Sequence, residues 1–420
     1  MSKEVNKILK EQLELVKPSE EDNNKIDNIW DNFSKDLRAS LKSKKINAEV
    51  FLGGSLAKGT LVKKNVYDID VFVRFNKSYP DSEISGLLGK VLGKVKKIHG
   101  SRDYYQKLVD EIIIEIIPVL NIKKPEEAVN VTDLSYFHVN YVLNKIKKDK
   151  KLIDEIRLAK NFAHAQYCYG AEGYIHGFSG YALELLICHY GSFFKFISEI
   201  SRLDLKEEKL IIDDSKFYKN NEEVLIELNK SKQQGPIILI DPTFRERNSL
   251  SGLSSDTFFK FRNACSGFLK NPSSEFFERK DIGEEFQKFE DVKVIKVKTS
   301  RQAGDIAGTK SRKFFDFFVY KMDREFVIRK SEFYYDENEN IANFYFVVDK
   351  KKEEVVRGPP IIAVQNLTSF KRAHPDAFIK KGFAYVKDRH AMSFDDWFER
   401  FVKVEKKVIK GMDVKGIKRV

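Results

Sequence analysis

Cysteine is scarce: Cys168, Cys188 and Cys265 are the only three among 420 residues, and none stands near another in sequence. No Cys-x-x-Cys pair and no His/Cys cluster occurs, which argues against a zinc site and against a disulfide framework. Long apolar runs are missing too. The most apolar stretch, Ile112 to Leu120, is interrupted by Glu115 and Pro118 and is far too short to cross a bilayer. The opening MSKEVNKILKEQ is charged and reads as helix rather than signal peptide. No internal repeat and no low-complexity tract is found. These absences predict a cytoplasmic protein without a membrane partner.

What is present is an ordinary globular composition, with 42% hydrophobic and 33% charged residues, in a chain long enough for two to four domains. Lys and Arg number 75 against 63 Asp and Glu, a net charge of +12. Such an excess suits a polyanionic partner, because these side chains displace condensed counterions from a phosphate backbone. A plain lysine bias would give the same number, so charge alone does not decide.

Residues 1–45 read as two helices separated by Pro18-Ser19-Glu20-Glu21, with Ser19 as the cap of the second. Val50 to Leu52 reads as a short strand, Asp68 to Phe75 as a second, and a Lys-rich helical segment follows to about residue 98. Leu108-Val109, Asp110-Glu111 and the Ile112–Ile117 run read as a hairpin. Beyond residue 125 the pattern turns helical: Asp154 to Gln166 is amphipathic and Gly180 to Ile197 reads as one long apolar helix. Pro236 to Pro242 is a buried strand ending in a turn. From about 290 to 350 the chain reads as β-rich and aromatic, including Phe314, Phe315, Phe317, Phe318 and Tyr320, with Arg357-Gly358-Pro359-Pro360 as a break and a Lys-rich helical end. The expected fold class is multidomain α+β, divided into residues 1–125, 126–235 and 236–420.

The informative stretch is Phe51-Leu52-Gly53-Gly54-Ser55-Leu56-Ala57-Lys58-Gly59-Thr60, followed by Tyr67-Asp68-Ile69-Asp70-Val71-Phe72-Val73. Two glycines let the backbone turn sharply off a strand and approach a ligand. Ser55 then offers a hydroxyl and an N–H where a phosphate is well received, and Lys58 adds positive charge one turn later. Asp68 and Asp70 share one strand face, with Cα atoms roughly 6.6 Å apart. Paired carboxylates beside a phosphate turn repel each other, and divalent cations relieve the repulsion; Mg2+ favours such oxygen ligands together with nucleotide phosphates. Glu115, an acid within an apolar strand, is costly to bury unpaired and is placed to be a third ligand. Each piece alone has a bland counterpart: a solvated Asp-x-Asp, a simple turn, a half-exposed glutamate. Together they resemble the nucleotidyltransferase superfamily of DNA polymerase β-like enzymes.

Further stretches resemble the archaeal-type (class I) CCA-adding enzymes, tRNA nucleotidyltransferases of that superfamily. They are Lys17-Pro18-Ser19-Glu20-Glu21, Ile114-Glu115-Ile116-Ile117-Pro118, Phe137-His138, Asp154 to Lys160, Tyr169-Gly170-Ala171-Glu172, Gly177-Phe178-Ser179-Gly180-Tyr181, and Asp241-Pro242 with Arg247-Asn248. The matches reach about residue 270; beyond it only the aromatic pattern is similar. The resemblance implies a polymerase β-like catalytic head, a helical neck and a mixed α/β body with a tail. It implies template-independent addition of C, C and A to the 3′ end of tRNA from CTP and ATP, with the acceptor and T arms gripped by the body. It leaves a homodimer open.

By the same resemblance Asp68, Asp70 and Glu115 are the catalytic, Mg2+-binding acids. Gly54, Ser55, Lys58, His138, Lys160 and Tyr169 bind the nucleotide's phosphates and sugar, and Arg247 helps read the incoming base. Without the family, His138 reads as a core or capping histidine, Lys160 as a helix-surface lysine, Tyr169 as packing and Arg247 as a loop charge. Two residues depart from the family pattern: Lys58 stands for Arg, losing bidentate geometry but keeping charge, and Glu115 stands for Asp. Two rivals stay open, another template-free transferase making poly(A) or oligoadenylate, and an RNA-binding homologue that has lost the chemistry.

Overall fold

The computed structural model describes residues 2–204, 209–300, 302, 304–351, 354–388 and 392–420. The chain forms two compact units, Met1–Arg279 and Lys280–Val420.

The first unit opens with helices α1 (Lys3–Val16) and α2 (Glu20–Ser43). Ser19 caps α2 in a reciprocal box: its hydroxyl accepts from Asp22 N at 3.0 Å while Asp22 Oδ2 accepts from Ser19 N at 3.1 Å. Next come β1 (Ala48–Leu52), the five-residue α3 (Gly54–Lys58), β2 (Tyr67–Phe75), α4 (Asp81–Leu92), β3 (Lys96–Ile98), β4 (Tyr104–Val109) and β5 (Ile112–Leu120). The strands make one sheet in the order β1-β2-β5-β4-β3, with β2 and β5 parallel and the other pairs antiparallel. The Lys-rich segment expected to stay helical to residue 98 does not: Gly93, at φ 71°, ends α4, and Lys96–Ile98 pair as a strand. The β4–β5 hairpin turns through Asp110 and Glu111, both at positive φ, as a two-residue turn matching strand twist requires. Ile69, Val71 and Val73 of β2 and Ile114 and Ile116 of β5 point to one side, where they join Ile84, Leu88 and residues of α2 in a core. The other side is left to Asp68, Asp70 and Glu115.

A second core of the same unit is helical. It is built on α5 (Ser135–Lys148), α6 (Leu152–Ala165), α7 (Gly180–Tyr190), α8 (Phe193–Arg202) and, after α9 (Asn221–Glu227), α10 (Ser255–Lys270). It takes in Val5 and Leu9 of α1 and runs along the chain as far as Phe277. The long apolar helix expected from Gly180 to Ile197 is two helices. Gly191, at φ 77°, ends α7, and Ser192 caps α8 by accepting from Lys195 N at 3.3 Å. A small sheet, β6 (Leu210–Ile212), β7 (Ile237–Asp241) and β8 (Phe244–Asn248), lies in this unit as well.

The second unit begins with α11 (Ile282–Phe286) and β9 (Lys293–Thr299), followed by α12 (Gly304–Met322), β10 (Phe326–Asp336) and β11 (Ile341–Lys350). After β12 (Glu354–Pro360), α13 (Val364–Ala373), β13 (Phe378–Lys380) and β14 (Phe383–Asp388) come α14 (Phe394–Val404), α15 (Lys406–Gly411) and β15 (Val414–Arg419). One antiparallel sheet has the order β10-β11-β9-β15, the other β12-β14-β13. Three expectations are corrected here. Phe314 to Tyr320 lie on α12, not in a strand: Phe314, Phe315, Phe318 and Met322 are the buried positions, which is helical spacing. Arg357 to Pro360 stay within β12, and the interruption there is a register shift against β14 between Arg357 and Pro360; the helical end is followed by a last strand, β15.

Candidate active site

The β1–α3 turn is shaped by how close it comes to β2. Gly53 N donates to Asp70 O at 2.8 Å, and Gly54 has φ 60°. A Cβ on Gly54 would stand 1.7 Å from Asp70 Oδ2, and one on Gly53 would stand 2.2 Å from the Phe72 ring. Glycine suits both places, because the turn lies directly on the Phe72 ring at Gly53 and on the carboxylate of Asp70 at Gly54. Ser55 follows, half-buried.

Asp68 and Asp70 share the open face of β2, and the parallel register sets Asp70 beside Glu115 of β5. Burial, then the negative charges of Glu115 and Asp68, push the Asp70 carboxyl up to about 6. The Glu115 carboxyl is raised as well, by burial first and by Asp68. Two of the acids have local partners: Lys64 Nζ donates to Asp68 Oδ2 at 2.7 Å, and Gln106 Nε2, across from Glu115 on β4, donates to its Oε1 at 2.7 Å. Glu115 is therefore not the unpartnered acid that its apolar neighbours in sequence suggest. Among the described residues no three His, Cys, Asp or Glu side chains stand gathered as a ready metal cluster. The donor set nevertheless suits an oxygen-preferring divalent cation, which would relieve the repulsion that raises Asp70, once Lys64 and Gln106 yield their carboxylates.

The predicted phosphate cations lie elsewhere than free in solvent. Lys58 is 7% exposed and its Nζ donates to Glu184 Oε2 at 2.6 Å; Lys160 is 4% exposed and its Nζ donates to Glu184 Oε1 at 2.8 Å. Thr60 Oγ1 donates to the same Oε1 at 2.9 Å. Burial lowers the Lys160 ammonium while Glu184 opposes the shift. Burial would raise the Glu184 carboxyl, but the two lysines bring it down to about 2. Arg157 of α6 fastens the segment between, donating to Leu61 O and Gly59 O at 2.9 Å each. The sequence reading missed Glu184, although an acid inside the apolar run Ala182 to Ile187 was a visible signal. Tyr169 stands nearby: a Cβ on Gly180 would meet its Oη at 2.8 Å and Lys160 Cε at 3.8 Å.

His138 and Arg247 meet at one further carboxylate. Asp241, at the end of β7 and 0% exposed, accepts from Arg247 Nη1 at 2.5 Å, Tyr181 Oη at 3.2 Å, and Thr243 N and Oγ1 at 2.9 and 2.7 Å. His138 Nε2 lies 3.0 Å from its Oδ2, and the imidazole stacks on Tyr181 at 4.2 Å between centroids. Burial works to raise the Asp241 carboxyl, yet His138, Arg247 and Thr243 together hold it well below the usual range. Burial lowers the imidazole of His138, and Asp241 opposes that. The structure thus gathers the candidates into three adjoining groups: the acids, the Glu184 lysines, and the Asp241 hub.

Two family models match, a nucleotidyltransferase domain over residues 34–156 and the second domain of tRNA nucleotidyltransferase over residues 154–278. The chain is 30% identical over 421 residues to a CCA-adding enzyme of Methanocaldococcus jannaschii, covering 93% of this chain and 89% of that one. It is 41% identical over 214 residues to a CCA-adding enzyme of Nanoarchaeum equitans, covering 50% and 52% of the two. Among solved structures, a cytoplasmic RNA terminal U-transferase superposes with a TM-score of 0.51 at 16% identity, covering 67% of this chain and all of the other. The Cid1 poly(U) polymerase with Mg and 3′-dATP gives 0.52 at 15% identity, covering 66% and 99%. At such identities these two share the fold.

Proposed function

The chain belongs to the archaeal CCA-adding enzymes, tRNA nucleotidyltransferases that add C, C and A to the 3′ end of tRNA, and from that premise we propose how its residues divide the work. CTP, ATP and tRNA are the substrates. Asp68, Asp70 and Glu115 hold divalent cations, with Mg2+ the natural occupant of an all-carboxylate set. Such ions, when bound, supply charge neutralisation at the attacking 3′-hydroxyl and at the departing pyrophosphate. Gly54 and Ser55 bring backbone and hydroxyl donors to the triphosphate, Lys58 and Lys160 bring positive charge, and His138 and Tyr169 bound the sugar and phosphates. Arg247, aimed by Asp241, reads the edge of the incoming base. Lys58 acts as a point charge where a guanidinium would grip bidentately, and the longer Glu115 reaches the site from its place beside Asp70. The net charge of +12 suits the phosphates of the tRNA acceptor and T arms.

The observation that carries this reading is the register of Asp70 against Glu115 beneath a glycine turn that lies directly on the Asp70 carboxylate. The test is incubation of tRNA lacking its CCA end with each labelled NTP and magnesium. Two C additions followed by one A are expected; A-tailing alone, with no use of CTP, would overturn the reading in favour of a poly(A)-type transferase.

A further inference from the structure

Glu184 is a carboxylate in the most apolar part of α7. Ala182, Leu183, Leu185, Leu186 and Ile187 around it are buried, and Glu184 itself is 1% exposed. A charge in that position is costly unless it is paired and fully bonded. It is paired twice over, with Lys58 Nζ at 2.6 Å and Lys160 Nζ at 2.8 Å, and the Thr60 hydroxyl both donates to Glu184 at 2.9 Å and accepts from Lys160 at 3.0 Å. The lysines come from different places: Lys58 ends the glycine turn beside the acidic strand, while Lys160 lies in the middle of α6 in the helical core. A buried pair balanced for stability alone would match one carboxylate with one ammonium. Within this group one carboxylate faces two ammoniums, beside the glycine turn, and the Asp70 carboxylate is near enough to interact with Lys58. That excess makes sense if an anion completes the group.

We propose that Glu184 is a positioning residue for nucleotide binding, gathering the Lys58 and Lys160 ammoniums into one cationic pair directed at the triphosphate. The proposal rests on the assignment of these two lysines to the triphosphate. Without the carboxylate the two buried ammoniums repel each other, and one of them separates or gives up its proton.

Equilibrium binding of CTP to the full chain without tRNA, the KM values for CTP and tRNA, and thermal unfolding are measured in Glu184→Gln, Glu184→Asp, Thr60→Val, Lys58→Met and Lys160→Met. Glu184→Gln is expected to weaken CTP binding by about tenfold or more, with the KM for tRNA unchanged. Glu184→Asp, which keeps the anion, should recover much of the loss, and Thr60→Val should show a smaller loss of the same kind. CTP binding unaltered in Glu184→Gln, while both lysine variants lose it, makes Glu184 a scaffold ion only and overturns the proposal. Normal CTP binding in both lysine variants overturns the triphosphate assignment itself, a different result from the first. If Glu184→Gln does not fold, Thr60→Val decides: parental CTP affinity in that variant overturns the proposal.

Discussion

The two units of the chain spend their interiors differently. Unit Met1–Arg279 buries Lys58, Arg74, Arg102, Asp133, Lys160, Glu184 and Asp241, whereas among the described residues of unit Lys280–Val420 the buried charge is Lys293. Both units pack aromatic rings, the first around Phe162, Phe261 and Phe268 and the second around Phe318, but the second does so with little buried charge. Phe318 lies 5.0 Å from Phe401 and 5.2 Å from Trp397, both edge-on, and Phe315 stacks 5.6 Å from Phe346. Aromatic packing of this kind stabilises by area and ring geometry and asks nothing of a ligand. Buried charge costs free energy in the folded chain unless it is paired; Arg102 and Asp133 pair to hold the head together, whereas Lys58, Lys160, Glu184 and Asp241 lie in the candidate site. The contrast separates a unit that buries the charges of the candidate site from one whose described core is nearly free of charge.

The largest effect should come from the acids. Asp70→Asn removes the carboxylate on which the glycine turn lies, and we expect incorporation to drop by about a thousandfold or more with tRNA binding nearly intact, measured by single-turnover extension and filter binding. Glu115→Gln should fall in the same direction and Glu115→Asp should keep measurable activity. Full activity in Glu115→Gln across a magnesium titration would remove Glu115 from the site and leave it a partner of Gln106. In the other unit the loss should appear in stability. Phe318→Ala should cost about 3–5 kcal/mol, read by denaturant unfolding, while the CTP affinity of the surviving folded protein stays at the parental value. A changed CTP affinity would mean that the aromatic unit also shapes the nucleotide site.

The same contrast governs what could be read from the chain before folding. The glycine turn, the Asp68–Asp70 strand and the hairpin at Asp110-Glu111 rest on local signals, period-two alternation and turn chemistry, and all stand in the structure. The partners of the site were not local. Glu184 is reached from Lys58 across 126 residues, and Gln106 meets Glu115 only because β4 pairs with β5. Nothing in the spacing of residues announces such meetings. Phe314 to Tyr320 differ for another reason: aromatic side chains favour strands in isolation, but here Phe314, Phe315 and Phe318 line the buried face of a helix, and tertiary packing overrides propensity. The apolar run from Gly180 masks an ordinary stop and cap, Gly191-Ser192, which divides it into two helices.

A smaller effect should sharpen the role of the Asp241 hub. Arg247→Ala leaves Asp241 with Tyr181, Thr243 and His138 as partners, so the fold should survive. We expect turnover to fall about tenfold and choice among the four nucleotides to relax, measured as kcat/KM for each NTP on the same tRNA. If only tRNA affinity changes and discrimination is kept, Arg247 contacts the RNA backbone, and the hub belongs to binding instead of selection.

The smallest effect is one of pH, and it tests whether the acidic face is held against its own repulsion. The Asp70 carboxyl is raised from 3.8 to about 6 by burial and by Glu115 and Asp68. Between those two values the folded protein keeps a proton that the unfolded chain has released. Stability attributable to this group is therefore full below the lower value and is lost as pH rises through the upper one. In chelator, the parent should lose stability relative to Asp70→Asn on going from about pH 4 to about pH 7, since all other groups are common to both. At neutral pH the Asn variant should then melt a few degrees higher. Divalent cation should reverse the order, because it binds the folded parent and gives the variant little. Thermal melts of both proteins over that range, with chelator and with magnesium, decide the matter. An Asn variant that melts below the parent at every pH in chelator would mean that the Asp70 carboxylate supports the fold, and its role would then be structural.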